Sequence, residues 1–168
     1  MKSDAFARLH ESVHRNKDRK AVEFHVEEIR CCVDIMRVRE IVSPEKTVPI
    51  PSAPHWVVGA ADHRESVVPV TDLRLRLGLK PFQSPHPKWI IVDAGGMDMA
   101  LLVDTVHGVV TVSVDIERER HPVMDDTDVT WVRSVYSMPD GLIFELDLDN
   151  MFDVQKDRDE RPKDGNTV

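Results

Sequence analysis

The feature that most constrains this chain is the way its apolar residues are parcelled from Val22 onward, in short runs rich in β-branched side chains with turn residues between them. The runs are Val22 to Val26, Cys31 to Ile35, Val38 to Val42, Trp56 to Ala60, Val67 to Val70, Trp89 to Val92, Met99 to Val103, Val109 to Val112 and Leu142 to Leu146. No strand–helix–strand alternation is visible, and many short strands with frequent turns predict a barrel or a sandwich. At 168 residues the chain can bury one substantial core, or two small barrels that share one.

Glycine and proline punctuate these runs. Ala94-Gly95-Gly96-Met97 lies between two apolar runs, and consecutive glycines supply the positive φ angles of a tight hairpin. Val48-Pro49-Ile50-Pro51-Ser52-Ala53-Pro54 cannot donate enough backbone hydrogens to be a central strand, so it reads as an extended connector into Trp56. Pro81 to Pro87 holds three prolines in seven residues, and a subdomain boundary is expected there. Asp72 to Gly78 alternates like a strand but is flanked like a short helix, with Asp as N-cap and Gly at the C-terminus; the helix is preferred. Asp147 to Phe152 reads as a second short capped helix. At the ends, Phe6, Leu9 and Val13 predict a short amphipathic helix in an extension over residues 1–20, and the charged residues 153–168 are expected to be a disordered tail.

A formal net charge of -8, spread along the chain, disfavours phosphate backbones and anionic lipid as direct partners, so neither nucleic acid nor membrane insertion is expected. No apolar stretch approaches a membrane span or a secretory h-region, which points to the cytoplasm. Cys31 and Cys32 are adjacent, so a strand would send them to opposite faces and no disulfide framework arises.

His10-Glu11-Ser12-Val13-His14 matches the H-E-x-x-H zinc peptidase pattern, in which two histidines one helical turn apart grip zinc and the glutamate activates water. Such an enzyme needs a third ligand and a preceding lobe, and only nine residues precede this motif, so a solvated helix face is the preferred reading. Asp125, Asp126 and Asp128 lack the glycine and distal glutamate of a calcium loop. The histidines at 25, 55, 63, 86, 107 and 121 read as surface or hairpin residues. No catalytic set and no cofactor or metal site is expected.

From Phe24 to Leu79 the landmarks come in a specific order. Val33 to Ile41 is followed by Val48 to Pro54, then Val58-Gly59, Arg64, and Val67-Val68-Pro69-Val70-Thr71-Asp72-Leu73-Arg74. With Trp89 to Asp104 and Leu142 to Phe152, this order resembles the CheW family of chemotaxis coupling proteins over residues 22 to 152. The resemblance implies an all-β fold of two interlocked five-stranded SH3-like barrels, here placed at about 21–80 and 88–146 with the chain crossing between them. It also implies a non-catalytic adaptor, cytoplasmic and clustered at receptor arrays, that couples a CheA-type histidine kinase to the cytoplasmic tip of a chemoreceptor.

Carried over residue by residue, the resemblance marks Val38, Glu40, Thr47, Gly59 and Arg64 as kinase or receptor contacts. Arg64 leads them, because a guanidinium fork can order its own barrel's loop and also meet a partner's carboxylate; the alternative is an intramolecular salt bridge that merely braces the turn. The chain departs from the family at Asp62-His63-Arg64-Glu65, where the pattern reads Asn-Leu-Arg-Gly, and at Ser134, where a glycine is usual. Glutamate disfavours positive φ, so the turn must either change type or carry strain. These departures raise an alternative, an adaptor specialised for one receptor system with weakened or lost kinase binding.

Overall fold

The computed structural model describes residues 18–81, 84–113 and 131–152. The short apolar runs become strands β1 (Asp18–Val26), β2 (Ile29–Asp34), β3 (Val38–Val42), β4 (Val57–His63), β5 (Ser66–Asp72), β6 (Lys88–Ala94), β7 (Met97–Val103), β8 (Thr105–Ser113), β9 (Val132–Met138) and β10 (Gly141–Leu146). They form two five-stranded sheets, ordered β8-β1-β2-β10-β9 and β3-β6-β7-β5-β4, the two interlocked SH3-like barrels of an all-β fold. Two short helices, α1 (Leu73–Arg76) and α2 (Leu148–Met151), follow β5 and β10. At each, the preceding aspartate caps the first turn: Asp72 accepts from the Arg74 amide at 2.9 Å, and Asp147 from the Asn150 amide at 3.2 Å.

Period-two alternation explains how the sheets lock. In β2, Cys31 and Val33 face one apolar cluster while Cys32 faces another; in β6, Ile90 and Val92 face the cluster of Cys31, and Trp89 and Ile91 a third. The cluster containing Phe24, Cys31, Val33, Ile90, Val92, Leu101 and Leu146 draws on both sheets and is their shared core. The other two fill the separate sheets, Ala21, Cys32, Val112, Tyr136 and Ile143 in one and Ala61, Val68, Val70, Trp89, Ile91 and Ala100 in the other. The runs that read as continuously apolar are therefore central hairpins buried on both faces. Both cysteines are free and buried, and burial pushes the Cys31 thiol up to about 12.

The sheets do not divide the chain as expected. One is built from residues 18–34 and 105–146, and the other lies entirely within 38–103, so one sheet is nested in the sequence of the other. The expected split into 21–80 and 88–146 fails because the proline-rich segment joins α1 to β6, and both belong to the nested part. Two parallel pairings complete the sheets: β10 beside β2 through Phe144↔Cys31, and β5 beside β7 through Val70↔Ala100. Hence β4 to β7 close on one another before the chain returns to the split sheet.

Smaller differences have local causes. β1 begins at Asp18 rather than Val22, because the polar residues Asp18 to Lys20 pair with Ser113 to Thr111. Ile35 leaves the strand for a 3₁₀ turn, Ile35–Arg37, capped by the Asp34 carboxylate on the Met36 amide at 2.8 Å. β9 has no counterpart among the predicted runs, since Arg133, Ser134 and Ser137 interrupt its apolar pattern. The Gly95-Gly96 hairpin joins β6 and β7 as expected, both glycines with positive φ. The N-terminal helix, the H-E-x-x-H string, the acidic residues 125–128 and the tail after residue 152 lie outside the described residues.

Candidate functional site

On the nested sheet, β4 and β5 pair from Val57↔Thr71 to His63↔Ser66, leaving Arg64 and Glu65 as a two-residue loop. Their φ angles are 48° and 66°, the positive pair that a type I′ hairpin turn demands. The sequence alternative is thereby resolved in favour of strain, because Glu65 holds a left-handed conformation with a Cβ at a cost of about 1–2 kcal/mol.

This turn projects the Arg64 guanidinium, 75% exposed, back toward β3, where it donates to Glu40 Oε1 at 2.7 Å. The other oxygen of Glu40 meets His63 Nε2 at 3.0 Å, and His63 Nδ1 meets Glu45 Oε1 at 2.9 Å. Four side chains thus form an unbroken series, Arg64–Glu40–His63–Glu45, from the turn across β3 to the connector before β4. The hydrogen bond from His63, with Arg64 behind it, holds the Glu40 carboxyl below its usual range. The two carboxylates lie on opposite ring nitrogens and cannot share one metal; among the described residues no group of three or more His, Cys, Asp or Glu side chains could hold an ion.

Glu40 and Arg64, both marked by the sequence, are in direct contact. Thr47 and Gly59 form a second pair. The connector touches β4 through a bridge between Val48 and Ala60, with both hydrogen bonds at 2.8 Å. A Cβ on Gly59 would stand 2.6 Å from the Val48 carbonyl oxygen and 3.1 Å from Thr47 Cβ. Gly59 is therefore required for the connector to lie down on β4. Val38 stands apart from both pairs; it is half-buried against the shared core, with Val92 opposite.

Beside the connector is a cavity of about 520 Å³ whose wall includes Glu45, Thr47, Val58, Val70, Trp89 and Leu102. Exposed apolar side chains surround this part of the sheet, with Ile41 on β3, Val48 and Ile50 on the connector, Val58 on β4 and Val67 on β5. A surface combining exposed apolar residues with a fixed, accessible guanidinium is suited to docking a protein. Sequence reasoning placed His63 in the altered turn but missed Glu45 and the pairing of His63 with two acids. Those acids lie 18 and 23 residues from His63, a separation that no local pattern encodes.

Two further charged groups have other surroundings. Arg74, almost wholly buried, donates to Glu27 at 2.7 Å and from two nitrogens to Asp104, joining α1 to the β1–β2 turn and the β7–β8 junction. In the split sheet, Glu145 accepts from the Tyr136 hydroxyl at 2.5 Å and from Arg19 at 2.9 Å. Burial, reinforced by Glu145, raises the pKa of that phenol. Ser134 is buried on β9 opposite Glu145, so its side chain is accommodated inside the sheet rather than presented to a partner.

Comparison with known proteins fits this architecture. The CheW-like domain family model matches residues 20–156. The chemotaxis protein CheW of Rhizobium meliloti (strain 1021) is 33% identical over 142 residues, covering 82% of this chain and 89% of that protein. The chemotaxis protein CheW of Bacillus subtilis (strain 168) is 25% identical over 145 residues, covering 85% and 92%. Among solved structures, the scaffolding protein TtCheW from Thermoanaerobacter tengcongensis superposes with a TM-score of 0.74 at 28% identity, over 81% of this chain and 93% of that one. With the family model spanning most of its length and the two interlocked barrels in place, the chain belongs to the CheW-like domain family.

Proposed function

We propose that this protein is a non-catalytic coupling scaffold of chemotaxis-type signalling, holding a CheA-type histidine kinase and chemoreceptor tips in a fixed relative geometry. The observation that carries this reading is the Arg64–Glu40 pair on the rim of the nested sheet. There a cation is fixed in direction yet left open to solvent, amid exposed apolar side chains. Family membership supplies the two partner classes, and the absence of a membrane-crossing helix among the described residues fits a site of action beside receptor arrays in the cytoplasm. The proposed contacts are Val38, Glu40, Thr47, Gly59 and Arg64, with no cofactor. Within this proposal residues 21–152 form the working domain, with 1–20 and 153–168 as extensions.

A second reading, an adaptor for one receptor system with weakened kinase binding, is favoured by a specific observation: Glu65 and His63 rewrite the turn that presents Arg64. Capture experiments with the purified chain, a purified kinase and a receptor signalling fragment test both readings. Capture of both partners supports coupling, and capture of receptor alone supports the specialised adaptor. Capture of neither, together with stoichiometric zinc in the purified protein, would replace both with the peptidase reading of His10 and His14.

A further inference from the structure

Carboxylate oxygens accept hydrogen bonds and do not donate them, and His63 meets one at each ring nitrogen, Glu40 at 3.0 Å and Glu45 at 2.9 Å. Neutral imidazole carries a single N–H and would aim the lone pair of its other nitrogen at an anion; only imidazolium donates on both sides. We propose that the imidazolium of His63 is a positioning group that ties the Arg64 turn to the connector of residues 43–56, and that loss of its proton loosens the connector on β4.

The charges that face this ring come from each element around it. β3 contributes Glu40, the connector contributes Glu45, and the turn contributes Arg64, which acts through Glu40. The cross-strand neighbour on β5, Ser66, brings none. With His63 protonated, two anions face two cations; without the proton one negative charge is left over. The series then breaks at one ring nitrogen. Glu40 still has Arg64 at 2.7 Å, whereas Glu45 has no second partner among the described residues, so the connector is the side that loosens, left to its Val48–Ala60 bridge. Because Pro44, Glu45 and Thr47 belong to the cavity wall, that loosening extends to the 520 Å³ cavity as well.

The hydrogen bonds to Glu40 and then Glu45 raise the pKa of His63 above its ordinary 6.5. A group whose pKa is raised on folding stabilises the fold fully below its unfolded pKa, and that contribution fades as pH climbs through the folded value. The latch is therefore closed in mildly acidic solution and opens over the window that starts near 6.5 and ends above the raised pKa. It is internal to the chain and does not depend on which partners bind.

The test is proton NMR titration of the His63 ring in the full-length protein, alongside amide-exchange protection of Val48 and Ala60, the two amides bonded between connector and β4, corrected for intrinsic rates. A midpoint above 6.5 is expected, with protection lost across the same titration, and each unit of elevation should correspond to about a tenfold change in the opening equilibrium. His63→Gln should leave the connector weakly protected at every pH while the β6–β7 core stays protected. Glu45→Gln, at an exposed side chain, should lower the midpoint, and it decides the matter if His63→Gln fails to fold. A midpoint at or below 6.5, or connector protection that stays constant through it, overturns the proposal.

Discussion

The split and nested sheets follow one plan, an outer strand, a central hairpin, a parallel joint and a second hairpin, but they place their charges at different depths. In the split sheet, Glu145 is 2% exposed and enclosed by Tyr136 and Arg19. In the nested sheet, Glu40 pairs with an Arg64 that solvent reaches freely. A charge that has lost its water must keep its partners, so the first cluster braces the fold; a charge that keeps its water adds little to stability and remains available to a second protein. Equivalent strand order thus leaves the depth of the charges undecided, and burial separates those that must keep their partners from those that solvent still reaches.

The comparison is broken most forcefully at Glu145. Glu145→Ala takes the carboxylate acceptor from the Tyr136 hydroxyl and leaves Arg19 only the Tyr136 oxygen of its two partners there, and urea unfolding should show a loss of about 2–3 kcal/mol. Partner capture by the protein that remains folded should be unchanged. If stability hardly moved, the split-sheet cluster would be as dispensable as the exposed one, and the contrast would collapse.

Gly59→Ala comes next, because its Cβ would collide with the Val48 carbonyl in the nested sheet. A loss of about 2 kcal/mol is expected in the same assay, accompanied by faster amide exchange at Val48 and Ala60. Intact protection of that bridge would show that the connector has slack to absorb a methyl group.

At the turn the sign reverses. Glu65→Gly removes a Cβ from a left-handed position and should stabilise by about 1 kcal/mol, read as a rise in melting temperature. Arg64→Ala should alter unfolding free energy least, by under about 1 kcal/mol, while reducing capture of kinase or receptor. Equal capture by mutant and wild type would reduce Arg64 to a brace for Glu40, and the two sheets would then differ only in how deeply their braces lie.

Much of this organisation can be read from the sequence where the signal is local. The Gly95-Gly96 hairpin, the Asp72 and Asp147 caps and the proline-bearing connector rest on backbone chemistry within a few residues, and the structure has all of them. Glu40 and Arg64 were marked only by the family resemblance, and that they touch is seen in the structure alone. The nesting of one sheet in the other was not legible, because a proline-rich segment marks an interruption in regular structure and says nothing about which strands pair across it. β9 was missed for a different reason: Tyr136 and Val135 are buried there, but Arg133, Ser134 and Ser137 break the alternation that would have announced a strand. His63 was read as a hairpin residue, and it is one; its role follows from acids that folding alone brings to it.

Nesting also sets an order of assembly as the chain leaves the ribosome. The β1–β2 hairpin emerges first but lacks its neighbours β8 and β10 until residues 105–146 have been made. The nested sheet has every strand it needs once residue 103 is out. The nested sheet is therefore completed early, and the slow event is the return of the β9–β10 hairpin to β2, with Arg19 and Glu145 meeting across 126 positions. Until that hairpin arrives, the paired edge of β2 stays open to strands from other chains. Mispairing is thus open to the nascent chain for the whole interval between the making of β2 and the arrival of β10.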